Sequence, residues 1–295
     1  MINKLTCLVA LLMLTCLPVF AQTSSKLHAE FYTGYEQENF HWSIAGNSTG
    51  TSPNIYSELK WKVSGLNTGA ALSWNFWKGF EASAQYNITA IQAGHVNDSD
   101  YQDDNRSNNI YNETFAADKG SIQNASVQLG YIFKVRRLSV KPFGGYTLNN
   151  QNLYILGNTT SDLSTLHTTY KTTWKGALVG ITVNAPLTNK ISLEPTLIYN
   201  QVNYNSRADW NQILDFEHPV SFRQNANGFG LQSRLKINYQ ISSLVTVFIS
   251  GNYQHWETGN GVDRLFRING DRPETQFNGA ARNTWGVNTG LNIRF

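Results

Sequence analysis

The chain is 295 residues long and pairs 13% aromatic residues with only 15% charged ones, at a formal charge of +3. That near-neutral balance gives no footprint for nucleic acid, and a mean hydropathy of −0.35 excludes a bundle of membrane-spanning helices. A soluble globule usually carries about a quarter charged residues, so many aromatics with few charges point to a wall that touches lipid.

Residues 8–20 are one apolar run, led by Lys4 and ended by Ala21. A charged start, an apolar middle and a small end predict a secretory signal peptide over 1–21 and a mature chain over 22–295. The run is short for a spanning helix, which takes about 20 residues. Cleavage after Ala21 removes Cys7 and Cys16, leaving neither disulfide nor thiolate metal site, and losing Lys4 takes the charge from +3 to +2.

Period-2 alternation then recurs to the end. Strands are expected over 27–45, 54–76 (bulged around 65–69), 80–93, 121–133, 138–157, 167–183, 191–204, 221–239, 244–257 and 279–295. In the last of these, Trp285, Val287, Thr289, Leu291, Ile293 and Phe295 share one face, with Gly286, Asn288, Gly290, Asn292 and Arg294 on the other. A soluble sandwich would turn the apolar face inward; an outer-membrane barrel turns it to lipid, and ending on an aromatic residue favours the barrel. Connections alternate between short (77–79, 134–137, 186–189, 240–243) and long, polar ones (47–53, 94–120, 158–166, 205–220, 259–278). The pattern predicts an all-β fold: a single ten-stranded antiparallel transmembrane β-barrel with long extracellular loops, in the outer membrane of a Gram-negative-type bacterium. So narrow a barrel fills its lumen with its own side chains. Lys236, Arg234, Arg294 and Glu194 are expected to form a packed salt-bridge network there, and function is expected in the loops.

The densest polar loop holds Asp98 and Asp100, two apart, with both carboxylates on one side of an extended segment. Like charges that close cannot both ionise easily, so such a pair can hold a proton and position a water. A solvated acidic loop is the plainer reading. An EF-hand fails, because Asp103 stands where its turn glycine belongs and Asn109 where its bidentate glutamate belongs. No Ser/His/Asp order, phosphate loop or zinc motif occurs, so neither cofactor nor metal is expected.

The run Gly94-x-x-x-Asp98-x-Asp100-Tyr101-x-Asp103 resembles the corresponding loop of the omptins, ten-stranded outer-membrane proteases, and residues 57–62 resemble the preceding omptin strand. Similarity to the broader omptin-like group, including the Protochlamydia-type outer-membrane proteins, is equally compatible. The resemblance implies that Asp98 and Asp100 hold the nucleophilic water and face an Asp-x-His pair on the fourth outer loop. The chain departs there, reading Asp209-Trp210-Asn211. An asparagine amide can orient water but has no useful basicity, so His218, further along the loop, is the candidate base. Glu38 is the implied acidic residue selecting basic side chains, and lipopolysaccharide at the outer rim is an implied partner. Two functions follow. One is an endopeptidase with an acidic surface cleft, acting on a peptide or protein near basic residues. The other is a non-catalytic surface barrel, an adhesin or a narrow porin-like channel.

Overall fold

The computed structural model describes residues 26–157 and 165–295; the signal peptide expected over 1–21 lies outside the described residues. Thirteen strands follow in order: β1 (Leu27–Ile44), β2 (Ser57–Trp77), β3 (Phe80–Asp103), β4 (Ser107–Ala116), β5 (Gly120–Tyr131), β6 (Phe133–Val135), β7 (Leu138–Leu156), β8 (His167–Pro186), β9 (Ile191–Asp209), β10 (Phe222–Gln240), β11 (Val245–Thr258), β12 (Gly261–Leu265) and β13 (Glu274–Arg294). They make a ring of ten antiparallel strands. β4, β5 and β6 together fill the place between β3 and β7, and β11 and β12 fill the place between β10 and β13. The ring closes where β13 pairs with β1, from Arg294 opposite His28 to Phe277 opposite Ile44. Closure satisfies every strand edge, which an open sheet in lipid could not do.

The lower half of the wall faces outward with apolar side chains. Val127, Val179 and Leu197 are each 58–59% exposed in the middle of their strands, an arrangement that water would disfavour and acyl chains accept. Aromatic residues ring both margins of this belt. At the end with the short turns, Trp77 stacks on Phe80 at 5.5 Å and Phe80 meets Tyr131 at 5.0 Å. The turn between β2 and β3 is tight enough to need Gly79 at φ +93°. At the upper margin Tyr35 packs on Trp285 at 5.7 Å.

Inside the belt the lumen is polar. Lys236 bridges Glu30 at 2.5 Å and Glu194 at 3.3 Å, and Arg234 reaches Glu30 at 4.0 Å. Three of the four expected residues therefore meet, around a glutamate the sequence reading passed over. Arg294 lines the same cavity, of about 470 Å³, which runs from the turn at Thr188 and Lys190 up to Glu36 and Gln254.

Above the belt the interior is packed and aromatic. Phe40, Trp42, Trp61, Tyr170, Trp174, Tyr204, Phe222, Trp256 and Phe277 are all buried there. The wall itself continues upward. Residues 94–120, expected as a loop, mostly extend β3 to Asp103 and return as β4; β9 takes in 205–209, and β12 lies within the last expected loop.

Candidate functional site

Asp98 and Asp100 lie on strand, not loop, and a bulge decides which way they point. Ser64 pairs with Ala93 but Gly65 pairs with Ile91, so Gln92 is an extra residue in β3. Below it the even positions Tyr86, Ile88 and Ala90 face out; above it Val96 is fully buried and Asp98 and Asp100 follow it inward. One inserted residue reverses the faces of a strand. Across the wall Asp98 lies between Leu59 and Glu113, and Asp100 between Ser57 and Tyr111. The Tyr111 hydroxyl donates to Glu113 Oε2 at 3.1 Å. Burial, then the negative charges of Asp100 and Glu113, push the Asp98 carboxyl up to about 7. Burial also raises Asp100, against a hydrogen bond from Ser57.

This has a measurable consequence for stability. Below the ordinary value of 3.8 both folded and unfolded chains hold the Asp98 proton, and its contribution is nil. Between there and about 7 only the unfolded chain ionises, so this group lowers stability as pH rises across that window and is level above it. Asp98→Asn is therefore expected to be more stable than the wild type at pH 8 and equal to it at pH 3.5. Denaturation midpoints at the two pH values measure the gap, and a gap that does not change with pH would refute the argument.

Asp209 ends β9 in the outward series, after Asn205 and Arg207, while Ala208 beside it is buried inside. Its Oδ1 meets His218 Nδ1 at 2.6 Å, with the side chains 24% and 37% exposed. The intervening turn is pinned at its base: Trp210 N donates to Ser221 Oγ at 2.8 Å, and Ser221 N to the Ala208 carbonyl at 2.8 Å. The pair has the make-up of a base and its orienting carboxylate, with Nε2 of the imidazole left over. Asn211 does something else. Its Oδ1 accepts from His167 N at 2.9 Å and its Nδ2 donates to the Thr165 carbonyl at 3.0 Å. It ties the start of β8 to the end of β9.

The two halves of the expected site lie on opposite faces of the wall: Asp98 and Asp100 face inward, whereas Asp209, with His218, ends the outward series of β9. β4 with β5, then β7, then β8 stand between β3 and β9 along the wall. Across the interior runs a chain of rings beginning at Trp61, next to Leu59. Trp61 stacks on Tyr170 at 5.4 Å, Tyr170 on Trp42 at 5.5 Å, Trp42 meets Phe222 at 5.8 Å, and Phe222 meets Trp210 at 4.7 Å. Glu38 is likewise removed from the rim. Both it and Arg282 have 0% exposed side chains, 3.4 Å apart, and Glu38 also accepts from Gln151 Nε2 at 2.5 Å and Thr284 Oγ1 at 2.9 Å. The Glu38 carboxylate is thus held by Arg282, Gln151 and Thr284 inside the barrel. Among the described residues, no group of three or more His, Cys, Asp or Glu side chains could hold a metal ion.

The sequence matches the family described as Pom: Protochlamydia outer membrane protein, over residues 30–295. The chain belongs to this family. As a Pom-family protein it is an outer-membrane β-barrel. Its fold is similar to that of the outer membrane protease OmpT from Escherichia coli, at a TM-score of 0.72 and 13% identity over 94% of this chain and 99% of that one. The translocator domain of the autotransporter NalP from Neisseria meningitidis aligns at a TM-score of 0.40 and 11% identity, over 98% of this chain and 96% of that one. OprG from Pseudomonas aeruginosa aligns at 0.35 and 9%, over 92% and 97%. No curated protein matches the sequence. At 13% identity the likeness to OmpT is one of fold.

Sequence reasoning passed over Glu113, which adds a third carboxylate to the inward acidic patch, and Arg282, which neutralises Glu38. Neither has a local signal. Both matter through partners 15 and 244 residues away in sequence, Asp98 and Glu38.

Proposed function

We propose that this Pom-family barrel is a non-catalytic surface protein that works through the outer part of its wall. The observation that carries this reading is that the two halves of the omptin-like site are on opposite faces of the wall. Hydrolysis needs one water within hydrogen-bond reach of both the aspartate pair and the base. Asp98 and Asp100 lie on the inner face, and the Asp209–His218 pair lies on the outward series. The resemblance to proteases is thus read as shared architecture.

The refolded protein is expected to leave a dibasic peptide intact between pH 5 and 8, indistinguishable from its Asp98→Ala and His218→Ala variants. Cleavage by the wild type that both substitutions abolish would instead make it an endopeptidase with His218 as base.

A second reading, the narrow channel, is favoured by the polar cavity of about 470 Å³ in the lower lumen. A passage would have to cross the Glu38–Arg282 layer and then the rings, so planar bilayers holding the wild-type protein are expected to stay silent. Steady conductance steps would carry the channel reading.

A further inference from the structure

Four cations stand side by side on the outside of the wall. Lys171 on β8 is directly opposite Arg207 on β9, Arg207 opposite Arg223 on β10, and Arg223 opposite Arg264 on β12. All four are exposed, and their chain neighbours Tyr170, Ala208, Phe222 and Asp263 are buried inside. Directly opposed side chains start about 4.5–5.5 Å apart, and like charges in that relation repel. Arg264 is neutralised by Glu274. Among the described residues, Lys171, Arg207 and Arg223 have no carboxylate partner; Arg223 lies over the Phe266 ring at 5.7 Å, and the nearby Asp209 is taken by His218. A strand register that lines up three unneutralised cations pays in repulsion for something an anion would relieve.

The surroundings say which anion. The unneutralised row crosses two strand spacings, about 10 Å, more than one phosphate can cover. Directly beneath it, on the same outward face, Thr173, Asn205 and Asn225 form the next row and Lys175, Asn203 and Asn227 the one after. Exposed amides in ranks, from Asn203, Asn205, Asn225 and Asn227, are suited to sugar hydroxyls. The height argues against a lipid headgroup. Arg207 is eight residues beyond Tyr199 of the upper aromatic margin, which at ~3.3 Å per residue and ~40° of tilt puts the row about 20 Å above the belt.

We propose that the Lys171–Arg207–Arg223 row, with the amide ranks below it, binds one extended anionic polysaccharide lying across β8, β9 and β10. The inference deepens the surface-barrel reading, yet it is read out by retention of a polyanion rather than by peptide cleavage, so either can fail alone.

The test is titration of labelled heparin onto the refolded protein at several salt concentrations. Wild type is expected to bind at 0.15 M salt, with a log–log salt slope of about −2 to −3 for three charges released. Arg207→Ser/Arg223→Ser is expected to weaken binding at least tenfold and flatten the slope by about two, with an unfolding midpoint equal to or above that of the wild type. Lys134→Ser/Arg137→Ser, at the opposite end of the barrel, should bind as the wild type does. Competition by saccharide chains freed from lipopolysaccharide would place the ligand on the bacterium's own surface; competition by heparin alone would place it on another cell. The proposal is overturned by an absence of heparin binding, by equal binding of the Arg207→Ser/Arg223→Ser variant, by equally tight binding of single-stranded DNA of matched charge, or by competition from lipid A without sugar chains.

Discussion

Arg282→Ala is expected to cost about 3–5 kcal/mol of stability, because it leaves the Glu38 carboxylate buried without its countercharge. Neither side chain reaches solvent, and among the described residues the other partners of Glu38 are Gln151 and Thr284. Arg282 also lies over the Trp256 ring at 5.1 Å, so truncation removes packing as well as charge. The informative companion is Glu38→Gln/Arg282→Met, which removes both charges and keeps the volume. Replacing a buried ion pair by neutral groups of similar size is often close to neutral, so the double variant should recover most of the loss. Urea unfolding of the refolded protein in detergent measures both. A single variant as stable as the wild type would mean that water reaches Glu38, and would undo the picture of a sealed layer above the polar cavity.

Tyr170→Ala is the second large effect. The Tyr170 ring contacts Phe40, Trp42, Trp61 and Phe222 at centroid distances of 5.8, 5.5, 5.4 and 6.3 Å. Its hydroxyl lies 2.6 Å from that of Tyr204 and donates to Gln224 Oε1 at 2.5 Å. Emptying that position should cost about 3–5 kcal/mol, the range for fully buried aromatics, whereas Tyr170→Phe loses only the hydroxyl, about 1 kcal/mol. The ratio separates ring packing from hydrogen bonding as the source of order in the upper half. Tyr170→Ala should remain silent in planar bilayers, since the Glu38–Arg282 layer below is untouched. If it conducts where the wild type does not, the rings are a gate and the channel reading replaces the surface one.

Most of the wall is legible from alternation alone. The series Trp285 to Ile293 places its apolar members outward and its glycines and asparagines inward, as the closed ring requires, and the ten expected segments each correspond to a place in it. The outward position of Asp209 was also within reach. It shares parity with the exposed Leu197 and Tyr199 along an unbroken β9, so following that strand to its end separates Asp209 from the lumen. Asp98 and Asp100 could not be placed this way. They share parity with Tyr86 and Ile88, which face lipid, and only the extra Gln92 turns them inward.

Side-chain periodicity belongs to each strand separately, and for that reason the chain alone could specify a lipid-facing wall, its two margins and its closure into a barrel. Which residues meet across the interior is set by register between strands and by single-residue bulges, neither of which leaves a trace in composition or spacing. Asn211 as a tie between β8 and β9, Glu38 sealed against Arg282, and the rings stacked across the interior all follow from that register. So does the line of Lys171, Arg207 and Arg223, three residues that look unremarkable apart and become one surface only when three strands are laid side by side.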